Sequence, residues 1–116
     1  MPVPAALKQT VDQEVTDYCD QKVPLHVLDK VRLVYQWRGN CVTLVEQRPY
    51  WKDPTGGEWL DSPVAQFRYD EHQRDWTLHW RDRNQRWHPY DGLPGSRSIS
   101  RLLAEVDHDP TGIFWG

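Results

Sequence analysis

The stretch "VRLVYQWRGNCVTLVEQR", residues 31–48, governs the architecture of this 116-residue chain. Apolar and polar side chains alternate on either side of Gly39-Asn40, and a period of two is typical of a half-buried β-strand. A Gly-Asn pair between two such runs indicates a two-residue hairpin turn. That turn predicts three cross-strand pairs on one apolar face: Trp37 with Val42, Tyr35 with Leu44 and Leu33 with Glu46. An antiparallel sheet is therefore the starting point of the fold.

Further strands follow this hairpin, and the sheet is predicted to span residues 31–91. Three segments have strand-like patterns: "VAQFRYD" (64–70), "DWTLHWRD" (75–82) and "RWHPY" (86–90). Pro89 marks the last segment as an edge strand, because proline cannot donate a hydrogen bond to a sheet ladder. Residues 49–63 contain three prolines and a Gly-Gly pair, so they are predicted to form one long loop.

Two helices are predicted to flank the sheet. In residues 4–22 apolar side chains recur at the spacing of one helix face, and Pro24 ends the segment. Residues 97–108 show a similar apolar stripe, and an apolar tail follows at 111–116. Strands flanked by helices favour an α+β fold. We therefore predict a single domain over residues 1–116, with a five-stranded antiparallel, meander-like sheet and both helices packed on one of its faces.

The composition narrows the classes of function. A net charge of -3 argues against a general polyanion binder. No apolar run reaches the length of a membrane helix, and the N-terminal residues lack the apolar segment of a signal peptide. We therefore expect a cytoplasmic protein without a membrane partner, in which Cys19 and Cys41 are reduced thiols. No cofactor is predicted.

A second aromatic hairpin, "WTLHWRDRNQRWHPYD" at residues 76–91, suggests a binding face. A two-residue turn at 83–84 or at 84–85 predicts one core-facing set: Trp76, Leu78, Trp80 and Trp87. The opposite face then carries arginine forks that fit carboxylate or phosphate groups. The candidate binding residues on that face are Arg68, His79, Arg81, Arg86, His88 and Tyr90.

Three interpretations of this face stay open. It is a solvated outer surface, a docking surface for a protein partner or a second copy, or a surface that binds an anion or single-stranded nucleic acid. The net negative charge and the shortage of free aromatic side chains on the face disfavour nucleic acid.

A small-molecule pocket is the second candidate site. The predicted register places Glu46 on the apolar face near the end of the sheet, just before the long loop begins. A pocket beneath that loop would be lined by Glu46, Arg48, Trp51 and Trp59. No metal site is predicted, because His79 and His88 lack a third ligand. No catalytic residues are predicted either, since no nucleophile and base can be paired from the sequence.

Two segments of the chain carry a resemblance to a known family: "SPVAQFRYDEHQRDWTLHWRDRNQRWHPYDGLP" and "LLAEVDHDPTGIFWG". They resemble a small bacterial family catalogued as domain of unknown function 3024. The resemblance implies a single-domain bacterial protein and implies no activity, substrate or cofactor. The family's turn typically reads Asn-Gly, whereas this chain has Asn84-Gln85, which predicts a looser turn or one of another type.

Taken together, these patterns favour a non-catalytic binding or assembly module of a bacterial cytoplasm. A protein partner or self-association is favoured, with a homodimer through the exposed sheet face or the Pro89 edge as one form. One alternative is a small-molecule-binding protein or an enzyme with its pocket under the 49–63 loop. Another alternative is a nucleic-acid-associated protein that uses Arg68, Arg81 and Arg86.

Overall fold

The computed structural model describes residues 3–115 and has the predicted α+β architecture. The elements in chain order are α1 (Ala5–Lys22), β1 (Arg32–Arg38), β2 (Cys41–Pro49), β3 (Trp59–Asp70), β4 (Asp75–Arg81), β5 (Trp87–Pro89) and α2 (Ile99–His108). A short 3-10 helix, Leu25–Val27, connects α1 to β1. The five strands form one antiparallel sheet in the order β1-β2-β3-β4-β5, so each strand pairs with its neighbour in the sequence. The predicted meander is confirmed.

The first hairpin has the predicted register. Its central pairs are Leu33 with Glu46, Tyr35 with Leu44 and Trp37 with Val42. Gly39 has a φ of 57°, whereas Asn40 is not among the residues with positive φ. A positive φ at the first turn position alone is the pattern of a type II′ turn, which matches the twist of the strands it joins. The two-residue turn therefore sets the pairing of β1 with β2, as the sequence predicts.

The long loop is shorter than predicted, which corrects the 49–63 boundary. Residues 50–58 form the loop, while residues 59–63 belong to β3 and pair with the end of β2. The register shifts between Leu44 and Val45, where Val64 has no partner on β2. Such a β-bulge adds one residue and bends the strand. Pro63 lies next to this irregularity, where a residue without an N–H is tolerated inside a sheet.

The last hairpin differs from the prediction in the length of its turn. Asp82 N–H donates to the Arg86 carbonyl at 2.9 Å, and residues 83–85 form a three-residue loop between them. Gln85 has a φ of 66°, the left-handed conformation expected at the third position of such a loop. The Asp82 carboxylate accepts from the N–H groups of Asn84 at 2.8 Å and Arg86 at 3.0 Å. These bonds stabilise a three-residue loop. A turn of another type is one of the two outcomes predicted from Asn84-Gln85.

This extra residue reverses the face of every side chain on β5. Arg81 pairs with Trp87 and Trp80 pairs with His88. Because side chains alternate along a strand, Trp87 lies on the side of the sheet away from the helices, while His88 and Tyr90 lie on the helix side. The predicted positions of Trp87, His88 and Tyr90 are therefore wrong.

The same shift turns Arg86 away from the Arg81 face, because Arg86 directly precedes Trp87. The predictions for β4 are correct, since Trp76 and Leu78 are buried in the core and Trp80 packs against it.

Both helices cover one face of the sheet, which we call the inner face. The largest fully buried side chains include residues from each layer: Val11 and Val15 of α1, Leu102 and Val106 of α2, and Val42, Leu44, Phe67 and Trp76 of the sheet. Asp12 attaches α1 to β1, because its Oδ1 accepts from Trp37 Nε1 at 2.7 Å and from Tyr35 Oη at 3.1 Å. The core thus lies between two helices and the inner face.

The C-terminal tail closes this core after α2. Asp109 adopts a φ of 43°, and its carboxylate accepts from the N–H groups of Phe114 at 3.0 Å and Trp115 at 2.8 Å. Trp115 Nε1 donates to the Val106 carbonyl at 3.0 Å, and Phe114 is buried. The tail residues up to Trp115 therefore pack on the domain, while Gly116 lies outside the described residues.

Two further observations concern the chain as a whole. Cys19 and Cys41 are both free, and Cys19 lies on the buried face of α1, where burial raises the pKa of its thiol to about 11. Within residues 3–115, no helix combines the length and the apolar character required to cross a membrane.

Candidate binding face of the sheet

The side of the sheet away from the helices, which we call the outer face, is organised in rows across the strands. The registers align several such rows, one of which consists of Arg32, Gln47 and Asp61, and three further rows cover the middle of the face. The first row is Arg38, Cys41, Arg68 and Thr77; the second is Gln36, Thr43, Gln66, His79 and Pro89; the third is Val34, Val45 and Pro63, continued by Arg81 and Trp87. These three rows therefore change from basic to polar to apolar and aromatic, and they contain three arginines and no carboxylate.

The outer face is concave. A cavity of about 420 Å³ takes lining residues from all five strands, among them Gln36, Thr43, Gln66, Arg81 and Trp87. The β-bulge on β3 bends the strand that runs through the middle of this cavity. A second cavity of about 280 Å³ shares lining residues with the first and continues toward the β4–β5 loop. Together they form a groove that crosses the sheet, and we call it the outer groove.

Hydrogen bonds between neighbouring strands hold the polar row in place. Gln66 Nε2 donates to Thr43 Oγ1 at 3.1 Å, and Arg68 Nε donates to Gln66 Oε1 at 2.7 Å. Both ends of the Gln66 amide are thereby oriented. Val45 beside them is only 3% exposed although it lies outside the helix-side core, so the floor of the groove is partly apolar. The groove offers oriented polar groups next to a small apolar surface.

His79 lies under this groove as a neutral side chain. It is 7% exposed, and its Nε2 makes a hydrogen bond of 2.9 Å with Thr77 Oγ1. Burial and the nearby Arg68 charge lower the pKa of His79 from 6.5 to about 4. Its Nδ1 is buried and has no hydrogen-bond partner in the described part of the chain. His79 therefore carries no charge near neutral pH, and it acts as part of the floor.

The three arginines of the rows have no ionic partner among residues 3–115, since Arg38, Arg68 and Arg81 appear in none of the ion pairs there. Arg81 is positioned by Gln85, whose Oε1 accepts from its Nη2 at 3.2 Å, and its guanidinium lies 5.8 Å from the centre of the Trp87 ring. Its Nε is buried without a partner. Arginines in this state present unused donors to an anionic ligand.

Helix α1, on the opposite side of the sheet, is acidic. It contains four acidic residues: Asp12, Glu14, Asp17 and Asp20. The chain as a whole has a net charge of -3, so the basic rows stand out against an acidic protein. Two carboxylates line the outer groove: Asp61 accepts from Gln47 Nε2 at 2.8 Å, and Asp82 is bound to the N–H groups of its own loop. The arginines without ionic partners make the outer face the preferred surface for an anion.

The remaining predicted binding residues have structural roles on the inner face or in the loop. His88 Nε2 lies 2.6 Å from Asp82 Oδ2, and its ring stacks on Trp80 at 4.7 Å. Tyr90 Oη donates to Glu105 at 2.6 Å, and this bond together with burial raises the pKa of Tyr90 to about 12. Arg86 is exposed at the end of the β4–β5 loop. The structure thus keeps Arg68, His79 and Arg81 together and separates the others from them.

The four residues predicted to line a small-molecule pocket are also separated from one another in the structure. Glu46 and Arg48 form an ion pair of 2.9 Å and line a cavity of about 160 Å³ beside α1 and Trp115. Trp51 is 79% exposed in the loop, and Trp59 lies beneath the Arg32 guanidinium at 3.8 Å. The pairing of β2 with β3 up to Pro49 carries the loop away from Glu46, so the four residues do not line one pocket.

Sequence reasoning missed Trp87 as a residue of the outer face. The available signal was Asp82, because aspartate at the first position of a type I turn stabilises a longer loop through its side chain. Among residues 3–115, no group of three or more histidine, cysteine, aspartate or glutamate side chains is arranged to hold a metal ion.

Comparison with known proteins adds one match. A family model described as "Domain of unknown function (DUF3024)" matches residues 3–116, which is nearly the whole chain. No curated protein and no solved structure matches the chain.

Proposed function

The chain belongs to the DUF3024 family, and we propose that it is a non-catalytic binding module whose outer groove docks an extended acidic segment of a partner protein. The observation that carries this proposal is the presence of three arginines without ionic partners on one concave face of an acidic protein. We place this module in the cytoplasm of a bacterium, in line with its bacterial family resemblance and its free, buried Cys19.

The dimensions of the groove suit an extended chain. It crosses five strands, and neighbouring strands lie about 4.8 Å apart, so its length is about 19 Å. An extended polypeptide advances about 3.3 Å per residue, so about six residues of a partner fit along it. Arg38 on β1 and Arg81 on β4 are three strands apart, about 14 Å, and they are also offset by four residues along the strands, about 13 Å, so their binding positions are about 20 Å apart. A partner with carboxylates about six residues apart would reach both.

The side chains of the outer groove also indicate which partner side chains fit between those two carboxylates. Gln66 and Thr43 are fixed by their mutual hydrogen bond and offer polar contacts in the middle of the groove. Val45, Pro63 and Trp87 supply an apolar row along one side. The favoured segment therefore alternates acidic and apolar side chains, and the arginine forks bind its carboxylates in a fixed geometry.

A non-catalytic role is favoured by the chemistry of the same residues. Guanidinium groups stay protonated near neutral pH, and the imidazole of His79, with a pKa of about 4, stays neutral. The groups that we assign to ligand binding thus offer positive charge and hydrogen bonds and no proton poised for transfer.

The test is a titration of the full chain with a short fluorescein-labelled peptide in which glutamate alternates with leucine, followed by fluorescence anisotropy. We expect saturable binding that Arg81→Gln weakens by at least about tenfold, because one charge-assisted hydrogen bond is lost. Arg101→Gln is the matched control, since it makes the same charge change at an exposed position of α2. The same peptide with glutamine in place of glutamate is expected not to bind.

Two results would overturn this assignment. One is the absence of saturable binding of the acidic peptide to the wild-type chain. The other is equal weakening by Arg81→Gln and Arg101→Gln, which would show that binding follows the overall charge of the protein and not the outer groove.

A second candidate function, binding of single-stranded nucleic acid, is favoured by the true position of Trp87. This aromatic ring lies on the outer face close to Arg81, and bases stack on such rings. The net charge of -3 and the presence of a single tryptophan in the three rows favour the acidic segment instead. A labelled single-stranded oligonucleotide that binds with a steep salt dependence, and more tightly than the acidic peptide, would reverse this order.

A further inference from the structure

The free edge of β1 borders an apolar groove that the outer face does not include. The sheet order leaves β1 and β5 at its two edges. Between β1, the end of α1 and the 3-10 helix lies a cavity of about 500 Å³, which we call the edge groove. Its lining is mostly apolar: Cys19, Val23, Leu25, Leu28, Leu33 and Val34. Asp20 and Arg32 are the charged residues of the lining.

Exposed apolar side chains surround this groove. Leu25 is 86% exposed and Leu28 is 37% exposed. The other large hydrophobic residues exposed in the described part of the chain, Trp51 and Leu60, lie at the same end of the sheet, where β1 begins and β2 ends. Apolar surface left in water costs about 25 cal/mol per Å². A concentration of such surface at one end of the molecule indicates an interaction site.

We propose that the edge groove is the interface of a two-fold symmetric dimer of this chain. A two-fold interface uses the same patch on both subunits, so the patch must be complementary to itself. The edge groove meets this condition for shape, because it contains both a protruding side chain, Leu25, and a recess of about 500 Å³ beside it. In the dimer, Leu25 of each protomer enters the recess of the other.

The charged residues of the edge groove are also complementary to those of a second copy. Asp20 and Arg32 have opposite charges, and neither forms an ion pair with a described residue. When the two-fold axis passes between them, Asp20 faces Arg32 of the partner subunit, and symmetry makes this contact twice. Arg32 is already held for this contact, since its Nε donates to the Leu28 carbonyl at 3.2 Å and its guanidinium stacks on Trp59 at 3.8 Å. Such preorganisation lowers the entropic cost of association.

A second copy explains the groove better than an unrelated partner does. A two-fold interface requires a patch that carries a protrusion and a recess and both signs of charge, and this patch has all four. A standard interface buries about 800 Å² per partner. That is about a tenth of the 7774 Å² of accessible surface of this chain.

The proposed dimer differs from the two interfaces expected from the sequence. The β5 edge is three residues long and contains Pro89, so it offers little backbone for pairing. The outer face remains open for its own ligand when the edge grooves pair. Val34 belongs to both surfaces, but the residues that the two tests change are different, so the dimer and the acidic-peptide function can each fail while the other holds.

The test uses sedimentation velocity of the full chain over a range of concentrations, with two charge reversals. Asp20→Arg places arginine against arginine in the dimer, and Arg32→Asp places aspartate against aspartate. We expect each variant alone to dimerise at least about tenfold more weakly than the wild type. An equimolar mixture is expected to recover wild-type dimerisation, because each heterodimer contains two opposite-charge pairs. Arg97→Asp, an exposed loop position, is the matched control.

Leu25→Asp provides an independent variant. Its position is 86% exposed in the protomer, so the fold does not depend on it, and we expect it to abolish dimerisation. A wild-type chain that stays monomeric up to about 1 mM would overturn the proposal. So would a mixture of the two charge reversals that dimerises no better than either one alone, because the interface would then involve another surface.

Discussion

The two faces of the sheet are built from the same strands and satisfy their polar groups in opposite ways. On the inner face, donors reach carboxylates of the helices: Trp37 and Tyr35 bind Asp12, and Tyr90 binds Glu105. On the outer face, polar side chains bind each other along the sheet, as Gln66 does with Thr43. No helix covers the outer face, so its arginines find no carboxylate within the described chain.

The comparison teaches where stability and recognition reside in this protein. The inner face supplies the core and uses the acidic residues of the helices as internal partners. The outer face keeps donors available because nothing in the chain neutralises them. One inner-face group departs from this pattern: Trp76 Nε1 is buried without a partner, and the structure offers no physical account of it.

The contrast predicts the largest effect for a truncation in the core. Phe67 is fully buried on the inner face, so Phe67→Ala is expected to lower the free energy of unfolding by about 3–5 kcal/mol. Arg81→Gln on the outer face is expected to change it by less than about 0.5 kcal/mol. Urea denaturation followed by tryptophan fluorescence measures both. A similar loss of stability in the two variants would remove the distinction between a stabilising and a recognising face.

Removal of the tail tests how far the inner core extends past α2. Deleting residues 111–116 removes the buried Phe114 and the Trp115 bond to Val106, so we expect a loss of about 3 kcal/mol and a lower Tm. Thermal denaturation by circular dichroism measures this. An unchanged Tm would contradict the packing and would indicate a free recognition tail.

Removal of the Asp12 carboxylate, which binds side chains of β1, is predicted to have a smaller effect on stability. Asp12→Ala leaves Trp37 Nε1 without its acceptor and removes one of the partners of Tyr35 Oη, which keeps Thr16 Oγ1, and this is expected to cost about 2 kcal/mol of unfolding free energy. Asp17→Ala is the control, because Asp17 is an exposed acid of the same helix that accepts a hydrogen bond from the Gln13 side chain and makes no contact with β1 in the hydrogen bonds described. Equal losses in the two variants would mean that helix charge, and not the contact with β1, determines the effect.

The effect that is smallest near neutral pH, and that develops only in acid, concerns the outer-face histidine. The pKa of His79 is lowered from 6.5 to about 4 in the folded chain, so between these values the unfolded chain binds more protons. This contribution to stability is therefore present above pH 6.5 and is lost as the pH falls through about 4, with a slope of up to about 1.4 kcal/mol per pH unit. We expect His79→Gln to show a shallower loss in urea denaturation across this range. Parallel curves for the variant and the wild type would contradict the buried, neutral state of His79.

Much of the inner face could be predicted because its signals are local. Gly39-Asn40 restricts the first hairpin to one register, and alternation then assigns Tyr35 and Trp37 to the core. The burial of Phe114 follows from the cost of leaving an apolar tail in water. The family resemblance covers the same elements and is confirmed by the match over residues 3–116.

The candidate site was predicted only in part, because it depends on two single-residue irregularities. The three-residue loop ending at Gln85 moves Trp87 to the outer face and removes His88 and Tyr90 from it. The bulge at Val64 extends β3 and bends the floor of the outer groove. Shifts of one residue reverse a strand's faces while leaving its alternation intact, so the pattern of apolar residues does not reveal them.

Apolar periodicity and turn residues in the chain alone thus establish the number of strands, their meander order and the layer of helices, because these features follow from neighbours in sequence. The concavity of the outer face, the pairing of Trp87 with Arg81 and the lack of ionic partners for the arginines emerge only in the folded molecule. They depend on which side chains meet across strands and on where the helices place their carboxylates. Contacts between segments far apart in the chain, and not local propensity, set the free energy of these arrangements.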